Sequence, residues 1–125
     1  MANIYGIHHV GVLVADLERA LKFYGEALGL VSNPARPDLG YPGVWLDVGD
    51  QQIHLMQLPN PDPLTGRPAH GGRDRHMALA VEDLDVLRQA LESAGVPYTS
   101  SKSGRKALFC RDPDGNVLEL VERGL

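Results

Sequence analysis

Residues 9–24 read HVGVLVADLERALKFY, and residues 76–91 read HMALAVEDLDVLRQAL. The two stretches align without a gap at an offset of 67 residues. Each begins with histidine and carries valine, aspartate and leucine at matching later positions. A repeat of this kind decides the architecture, because each copy folds as one supersecondary unit. The sequence therefore predicts two copies of one structural module.

Local signals assign an element type to each part of the module. A run of aliphatic and β-branched residues is typical of a strand, and the aspartate that follows it is suited to cap the first turn of a helix. A glycine in each copy then stands where a helix ends in a left-handed residue. The predicted strands are 6–14, 30–36, 43–48, 52–58, 75–81, 97–101, 106–111 and 117–122; the helices follow Asp16 and Asp83 and end at Gly29 and Gly95. The order is βαβββ, twice.

The chain is short enough for a single domain, 1–125, of the α+β class. Module 1 is predicted at about 4–58 and module 2 at about 74–123. Between them, the proline- and glycine-rich residues 59–73 are predicted to be a linker.

Composition excludes several classes of protein. With 43% hydrophobic residues, 22% charged residues and a net charge of −4, the 125-residue chain resembles an ordinary globular protein. No basic run suggests nucleic acid, and no apolar stretch is long enough for a membrane span. The single cysteine, Cys110, cannot form an internal disulfide, so we expect a reducing, cytoplasmic environment.

Alternation along the predicted strands separates the polar residues from the core. His9, His54, His76 and Glu119 all fall on the strand face that points away from the helices. One such residue is most simply a hydrogen-bonded strand residue. The four together, at equivalent points of two related modules, predict a divalent-metal site.

Other polar residues are assigned more simply. His8 has the opposite strand parity and is expected at a boundary, and His70 lies in the linker, where solvent is the default environment. Arg75 follows the linker and is a candidate for the mouth of a substrate site.

Four stretches carry a family resemblance. The chain resembles the vicinal oxygen chelate superfamily of glyoxalases, bleomycin resistance proteins and extradiol dioxygenases. The resemblance lies in the segments HVGVLVADLERALKFYGEALGL, IHL, RHMALAVEDL and FCRDPDGNVLELVE. The resemblance implies a single glyoxalase-like domain whose modules form an open, barrel-like mixed sheet with the helices on the outside. It also implies a homodimer that binds a small-molecule substrate, with the metal site either within one chain or across two.

The resemblance also implies site roles. The metal ligands fall on His9, His76 and Glu119, and His54 stands where isomerases of the family commonly have Glu or Gln. Three imidazoles and one carboxylate leave a divalent site with a charge of about +1, which strengthens it as a Lewis acid. Whether His54 binds the ion or acts as an acid or base beside it stays open. The ion would be Zn, Ni, Mn, Fe or Co, and a thiol such as glutathione is a possible cosubstrate.

The activity that we favour is a glyoxalase I-like lyase or isomerase. It would act on a small 1,2-dioxygenated substrate through a metal-stabilised enediolate, with Glu119 and His54 as catalytic residues. One alternative is an Fe(II) dioxygenase, since His9, His76 and Glu119 form a two-histidine, one-carboxylate set. Another is a fosfomycin-type thiol transferase that uses Lys102, Arg105 and Lys106 for an anionic substrate. The non-enzymatic alternative is a drug-binding resistance protein.

Overall fold

The computed structural model describes residues 2–124 and contains eight strands and two main helices. The strands are β1 His9–Val14, β2 Val31–Ser32, β3 Gly43–Val48, β4 Gln51–Gln57, β5 His76–Val81, β6 Tyr98–Ser100, β7 Ala107–Arg111 and β8 Val117–Glu122. Helix α1 is Leu17–Leu21, continued by a π-helical segment Lys22–Ala27; α2 is Leu84–Ser93, and a 3-10 turn spans Gly71–Arg73. Within residues 2–124, no helix has the length and apolar character needed to cross a bilayer.

The strands form two unclosed four-stranded sheets of the same topology. Their orders are β1-β4-β3-β2 and β5-β8-β7-β6. In each sheet the first strand of the module pairs in parallel with the last, and the remaining pairs are antiparallel. This confirms the predicted α+β fold of two βαβββ modules. The predicted first strand began at residue 6, but regular pairing starts at His9.

The predicted aspartate caps and terminal glycines are present at the helices of both modules. The Asp16 carboxylate accepts a hydrogen bond from the backbone N–H of Arg19 at 3.2 Å, and the Asp83 carboxylate accepts one from Asp85 at 3.0 Å. After each helix a glycine takes a positive φ, as Gly95 does at 71°. These caps satisfy backbone groups that the helix itself leaves without partners.

Both modules contribute to one hydrophobic core. It contains the helix-facing side chains of both sheets together with apolar residues of both helices; among its members are Val12, Val14, Tyr24, Leu55, Leu84, Leu91, Leu118 and Leu120. Because side chains alternate along a strand, the opposite face of each sheet points away from this shared core. Those two helix-free faces carry the candidate site residues.

A buried polar contact joins the modules. The hydroxyl of Tyr24 in module 1 donates a 2.7 Å hydrogen bond to the Asp112 carboxylate in the β7–β8 turn. In the same turn, Asp114 accepts hydrogen bonds from the backbone of Ala15 at 3.0 Å and from the Arg19 guanidinium at 2.9 Å. Burial raises the pKa of Asp112 above its usual value, so each donor to this carboxylate matters.

We expect Tyr24→Phe to destabilise the protein by about 1–3 kcal/mol, because it removes a donor from a buried carboxylate. The matched control is Tyr98→Phe, whose hydroxyl bonds Glu92 at the surface; it should cost less than about 1 kcal/mol. Urea unfolding measures both changes. Equal losses in the two variants would contradict the role given to the Tyr24 hydroxyl.

Candidate metal centre

Equivalent positions of the two sheets hold the four candidate ligands. His54 on β4 is paired with Gly11 of β1, and Glu119 on β8 is paired with Ala78 of β5, the residue that corresponds to Gly11 in the repeat. His9 and His76 begin β1 and β5. Core residues flank His54 and Glu119 on both sides along the strand, and His9 and His76 are each followed by a residue that packs against the core. All four therefore lie on the helix-free faces, with the parity that the sequence predicted.

His76 and Glu119 form a pair on the second sheet. The Nε2 of His76 lies 3.3 Å from Oε1 of Glu119, and the carboxylate side chain is only 3% exposed. The other ring nitrogen, Nδ1, lies 2.8 Å from the carbonyl oxygen of Asp74, which can only accept, so Nδ1 carries the hydrogen. In the neutral imidazole, the Nε2 lone pair then faces a carboxylate oxygen. Only a proton or a cation between these two atoms makes the contact favourable. An imidazole nitrogen and a carboxylate oxygen are also common ligands of divalent ions.

His9 and His54 form the corresponding pair on the first sheet. Their rings stack with centroids 4.0 Å apart and an interplanar angle of 13°, and Trp45 stacks on the other face of His54 at 4.4 Å. A ligating nitrogen binds an ion near the plane of its own ring. Since the two planes are parallel and stacked, one of the histidines must rotate before both can bind the same ion.

A short hydrogen-bonded chain orients His54. Its Nε2 lies 2.8 Å from Oε1 of Gln52, and the amide nitrogen of Gln52 donates to Asp47 at 3.3 Å. Because Asp47 accepts a hydrogen bond from the amide nitrogen of Gln52, the amide oxygen of Gln52 faces the His54 ring. The ring hydrogen is therefore on Nε2, and Nδ1 has the lone pair that could bind a metal ion. Burial, followed by the neighbouring His9, lowers the pKa of His54, which keeps the ring neutral as ligation requires.

The two pairs do not join within one chain. Among residues 2–124, no three His, Cys, Asp or Glu side chains come close enough together to hold a metal ion. The shared core explains this, because both helix-free faces point away from it. Each face of a single chain therefore presents two of the four predicted ligands.

The predicted substrate residues occupy different surroundings. Arg105 donates from Nη2 to Glu119 Oε2 at 3.0 Å, and its Nε lies 3.2 Å from the Ser103 hydroxyl. Lys102 is exposed on the same turn. Arg75 pairs with Asp62 instead, at 2.5 Å. Arg105 is thus the candidate that touches a predicted ligand.

A large cavity lies between β1 and β5. It measures about 670 Å³ and is lined by apolar residues of both strands, with Arg75, His76 and Asn116 among its polar groups. The volume suits a small organic ligand. Its position beside His76 places such a ligand next to one of the predicted metal ligands.

Sequence reasoning missed two aromatic residues and the contacts of one linker histidine. Trp45 and Phe109 occupy equivalent positions, paired with His54 and Glu119 respectively. Their place opposite the polar strand residues was the signal that could have found them. His70 was expected in solvent, but its Nδ1 lies 2.7 Å from the Thr99 hydroxyl and its ring meets Phe109 edge-on at 5.0 Å.

Comparison with known proteins identifies the family and agrees with the fold. The model of the Glyoxalase/Bleomycin resistance protein/Dioxygenase superfamily matches residues 6–120. Glyoxylase I 4 of Arabidopsis thaliana is 28% identical over 94% of this chain and 71% of its own length. Glutathione transferase FosA of Serratia marcescens is 32% identical over 94% of this chain and 80% of its own. A Bacillus anthracis crystal structure assigned to the glyoxalase family superposes with a TM-score of 0.81 at 29% identity, covering 99% of this chain and 100% of that one. The chain belongs to the glyoxalase, bleomycin resistance protein and dioxygenase superfamily.

Proposed function

We propose that this protein is a divalent-metal-dependent lyase or isomerase of the glyoxalase I type that acts on a small 1,2-dioxygenated substrate. Its metal centre would be formed by His9, His54, His76 and Glu119. The observation that carries the proposal is the contact of His76 Nε2 with Glu119 Oε1 at 3.3 Å. The ring hydrogen of His76 is on Nδ1, which donates to the carbonyl oxygen of Asp74. Such an arrangement of two facing acceptors is typical of a cation site.

We also propose that each centre is built from two chains. One chain presents the His9–His54 pair and its partner presents the His76–Glu119 pair, as in a twofold-symmetric dimer. The separation of the two pairs within one chain supports this arrangement. So does the N-terminal segment, where Ile4 is 90% and Tyr5 94% exposed, because an apolar surface of this kind is suited to be covered by a second copy.

The residues of this centre have distinct roles in the proposed reaction. A bound divalent ion would supply Lewis-acid polarisation of two neighbouring substrate oxygens. Glu119 would take the proton from the substrate carbon and return it to the adjacent carbon, since its carboxylate is almost fully buried beside His76. Phe109 meets the His76 ring edge-on and Trp45 stacks on the His54 ring, so both would restrict the movement of these histidines.

The charge around Glu119 favours an anionic substrate. With Glu119 acting as a ligand, a bound ion would place a second positive charge beside the Arg105 guanidinium, which now pairs with that carboxylate. An anionic group on the substrate would offset the repulsion between the two charges. We therefore infer that the substrate carries a carboxylate or a similar oxyanion near its reacting carbons.

A thiol transferase acting on an anionic substrate is the second candidate. The position of Arg105, oriented by Ser103 over Glu119, favours it, as does the 32% identity to the FosA transferase. Metal analysis of the native protein, followed by turnover tests with hemithioacetals, catechols and fosfomycin plus glutathione, separates these activities. Turnover of fosfomycin alone would replace the lyase assignment, and absence of bound or bindable metal would overturn both.

We expect the metal set to respond to single substitutions. Changing His9, His54, His76 or Glu119 to alanine should each weaken divalent binding by about tenfold or more, as loss of one ligand generally does. His8→Ala is the control for the assigned face; because its Nδ1 lies 2.8 Å from Nδ1 of His9, it should weaken binding less than loss of any of the four ligands. Calorimetric titration with Zn(II) measures the affinities. Equal losses for His8 and His9 would contradict the assigned face, and full affinity of His54→Ala would make His54 an acid or base beside the ion.

The assembly prediction is a homodimer. Sedimentation at micromolar concentration should show a species of twice the 13.6 kDa chain mass. Removing the exposed apolar side chains with Ile4→Ser and Tyr5→Ser should shift the equilibrium toward the monomer, whereas Val86→Ser on α2 should not. A single 13.6 kDa species for the unaltered chain would refute the two-chain centre.

A further inference from the structure

An ionic clamp lies directly before His76. The guanidinium of Arg67 binds the Asp74 carboxylate through two parallel hydrogen bonds, Nε to Oδ2 and Nη2 to Oδ1, each 2.8 Å long. Arg111 of β7 donates to the same Oδ2 at 2.9 Å, and the backbone N–H of Arg75 donates to Oδ1 at 2.8 Å. The Asp74 carboxylate therefore has four donors from three residues.

The clamp is well shielded from solvent. The side chains of Arg67 and Asp74 are 19% and 9% exposed. The hydrogen bond from Arg67 is the largest of the causes that hold the pKa of Asp74 well below its usual range.

The clamp reaches His76 through the backbone. The carbonyl of Asp74 accepts the hydrogen bond from His76 Nδ1 at 2.8 Å, and its backbone N–H donates to Gly71 at 3.0 Å. Phe109 meets the His76 ring edge-on at 5.1 Å and 89°. The imidazole is thus held at one nitrogen by Asp74 and on one side by Phe109, with Nε2 directed at Glu119.

We infer that the Arg67–Asp74–Arg111 clamp is a positioning device that fixes the tautomer and direction of the His76 imidazole. The linker then has a function beyond connecting two modules, since its residue Arg67 fixes the carbonyl that orients His76. Histidine ligands depend on such hydrogen bonds, and losing one typically lowers metal affinity about 10–100-fold. The affinity part of this inference rests on the proposed metal centre, whereas the tautomer part does not.

The test uses Arg67→Gln, which removes the two-pronged contact and the charge. Nitrogen-detected NMR of the histidine rings is recorded without metal at about pH 9, well above the ordinary histidine pKa of about 6.5. We expect His76 to carry its hydrogen on Nδ1 in the unaltered protein and to populate both tautomers in the variant. Zn(II) affinity should fall about 10–100-fold in the same variant.

Two variants provide the controls. Arg67→Lys keeps the charge without the fork and should restore part of the Nδ1–H population. Arg123→Gln breaks an exposed pair with Glu82 and should change neither measurement. If Arg67→Gln does not fold, Asp74→Asn is measured in its place, with the same expectation.

The outcomes separate the clamp from the proposed function. An Nδ1–H tautomer and Zn(II) affinity that match the unaltered protein in a folded Arg67→Gln variant would overturn the positioning role while leaving the metal centre intact. No Zn(II) binding by the unaltered protein would overturn the metal centre, and the tautomer comparison would still decide the clamp.

Discussion

Glu119→Gln should lower turnover about 10²–10⁴-fold, the usual contribution of a general base, while metal occupancy falls far less. The amide oxygen can still bind an ion, but an amide does not accept a proton near neutral pH. Steady-state turnover and metal content of the same sample measure the two effects. The acidic limb of the pH–rate profile should also disappear in the variant, because that limb reports protonation of the base.

Glu122→Gln is the matched control, because Glu122 lies on the same strand and accepts the backbone N–H of Leu84 instead. It should leave turnover and metal content nearly unchanged. If the activity of Glu119→Gln follows its metal content and excess metal restores it, Glu119 is a ligand without a proton-transfer role. Full dependence of the unaltered enzyme on O₂ would replace the isomerase assignment with the dioxygenase.

Arg105→Ala should have opposite effects on metal and on substrate. Metal affinity should rise several-fold, because the guanidinium no longer competes for Glu119; the side chain of Arg105 is 61% exposed, which limits this gain. For anionic substrates kcat/KM should fall about 10- to 100-fold, corresponding to loss of one charged hydrogen bond of about 1.5–3 kcal/mol. Calorimetry and steady-state kinetics measure the two quantities.

Lys106→Ala is the control for the metal measurement. It lies on the same turn but pairs with Glu122, at 3.4 Å, so metal affinity should not change. Arg105→Lys keeps the charge but not the planar fork, and should recover only part of kcat/KM. A variant Arg105→Ala that binds metal more weakly, with unchanged kcat/KM, would contradict the proposed place of Arg105 in the site.

The sequence predicts the module and the face of each ligand because both depend on local periodicity. The paired aspartate caps and the strand parity of His9 and Glu119 follow from alternation and capping alone, and both appear in the structure. The sequence repeat also predicts that the two modules have equivalent structures. The pairing of His54 with Gly11 and of Glu119 with Ala78 confirms that equivalence.

Other features depend on contacts between segments that no local pattern encodes. Arg67 and Asp74 sit in a stretch of prolines and glycines without periodicity, so their pairing could not be predicted from spacing. The contact of Arg105 with Glu119 depends on the conformation of the turn before β7. How the two sheets share one core is likewise a tertiary property, and it determines that the ligand pairs of one chain stay apart.

The most direct test of the two-chain metal centre mixes two variants that are each defective in one pair. His9→Ala damages the module 1 pair and His76→Ala damages the module 2 pair, so neither homodimer should bind metal tightly or turn over substrate. If the centre is shared, each mixed dimer contains one intact site and one doubly defective site. Random exchange at equal amounts should then restore about a quarter of the normal number of tight Zn(II) sites, with a matching fraction of activity. A mixture that stays at the average of the two separate variants, although the chains exchange, would contradict a centre built from both chains.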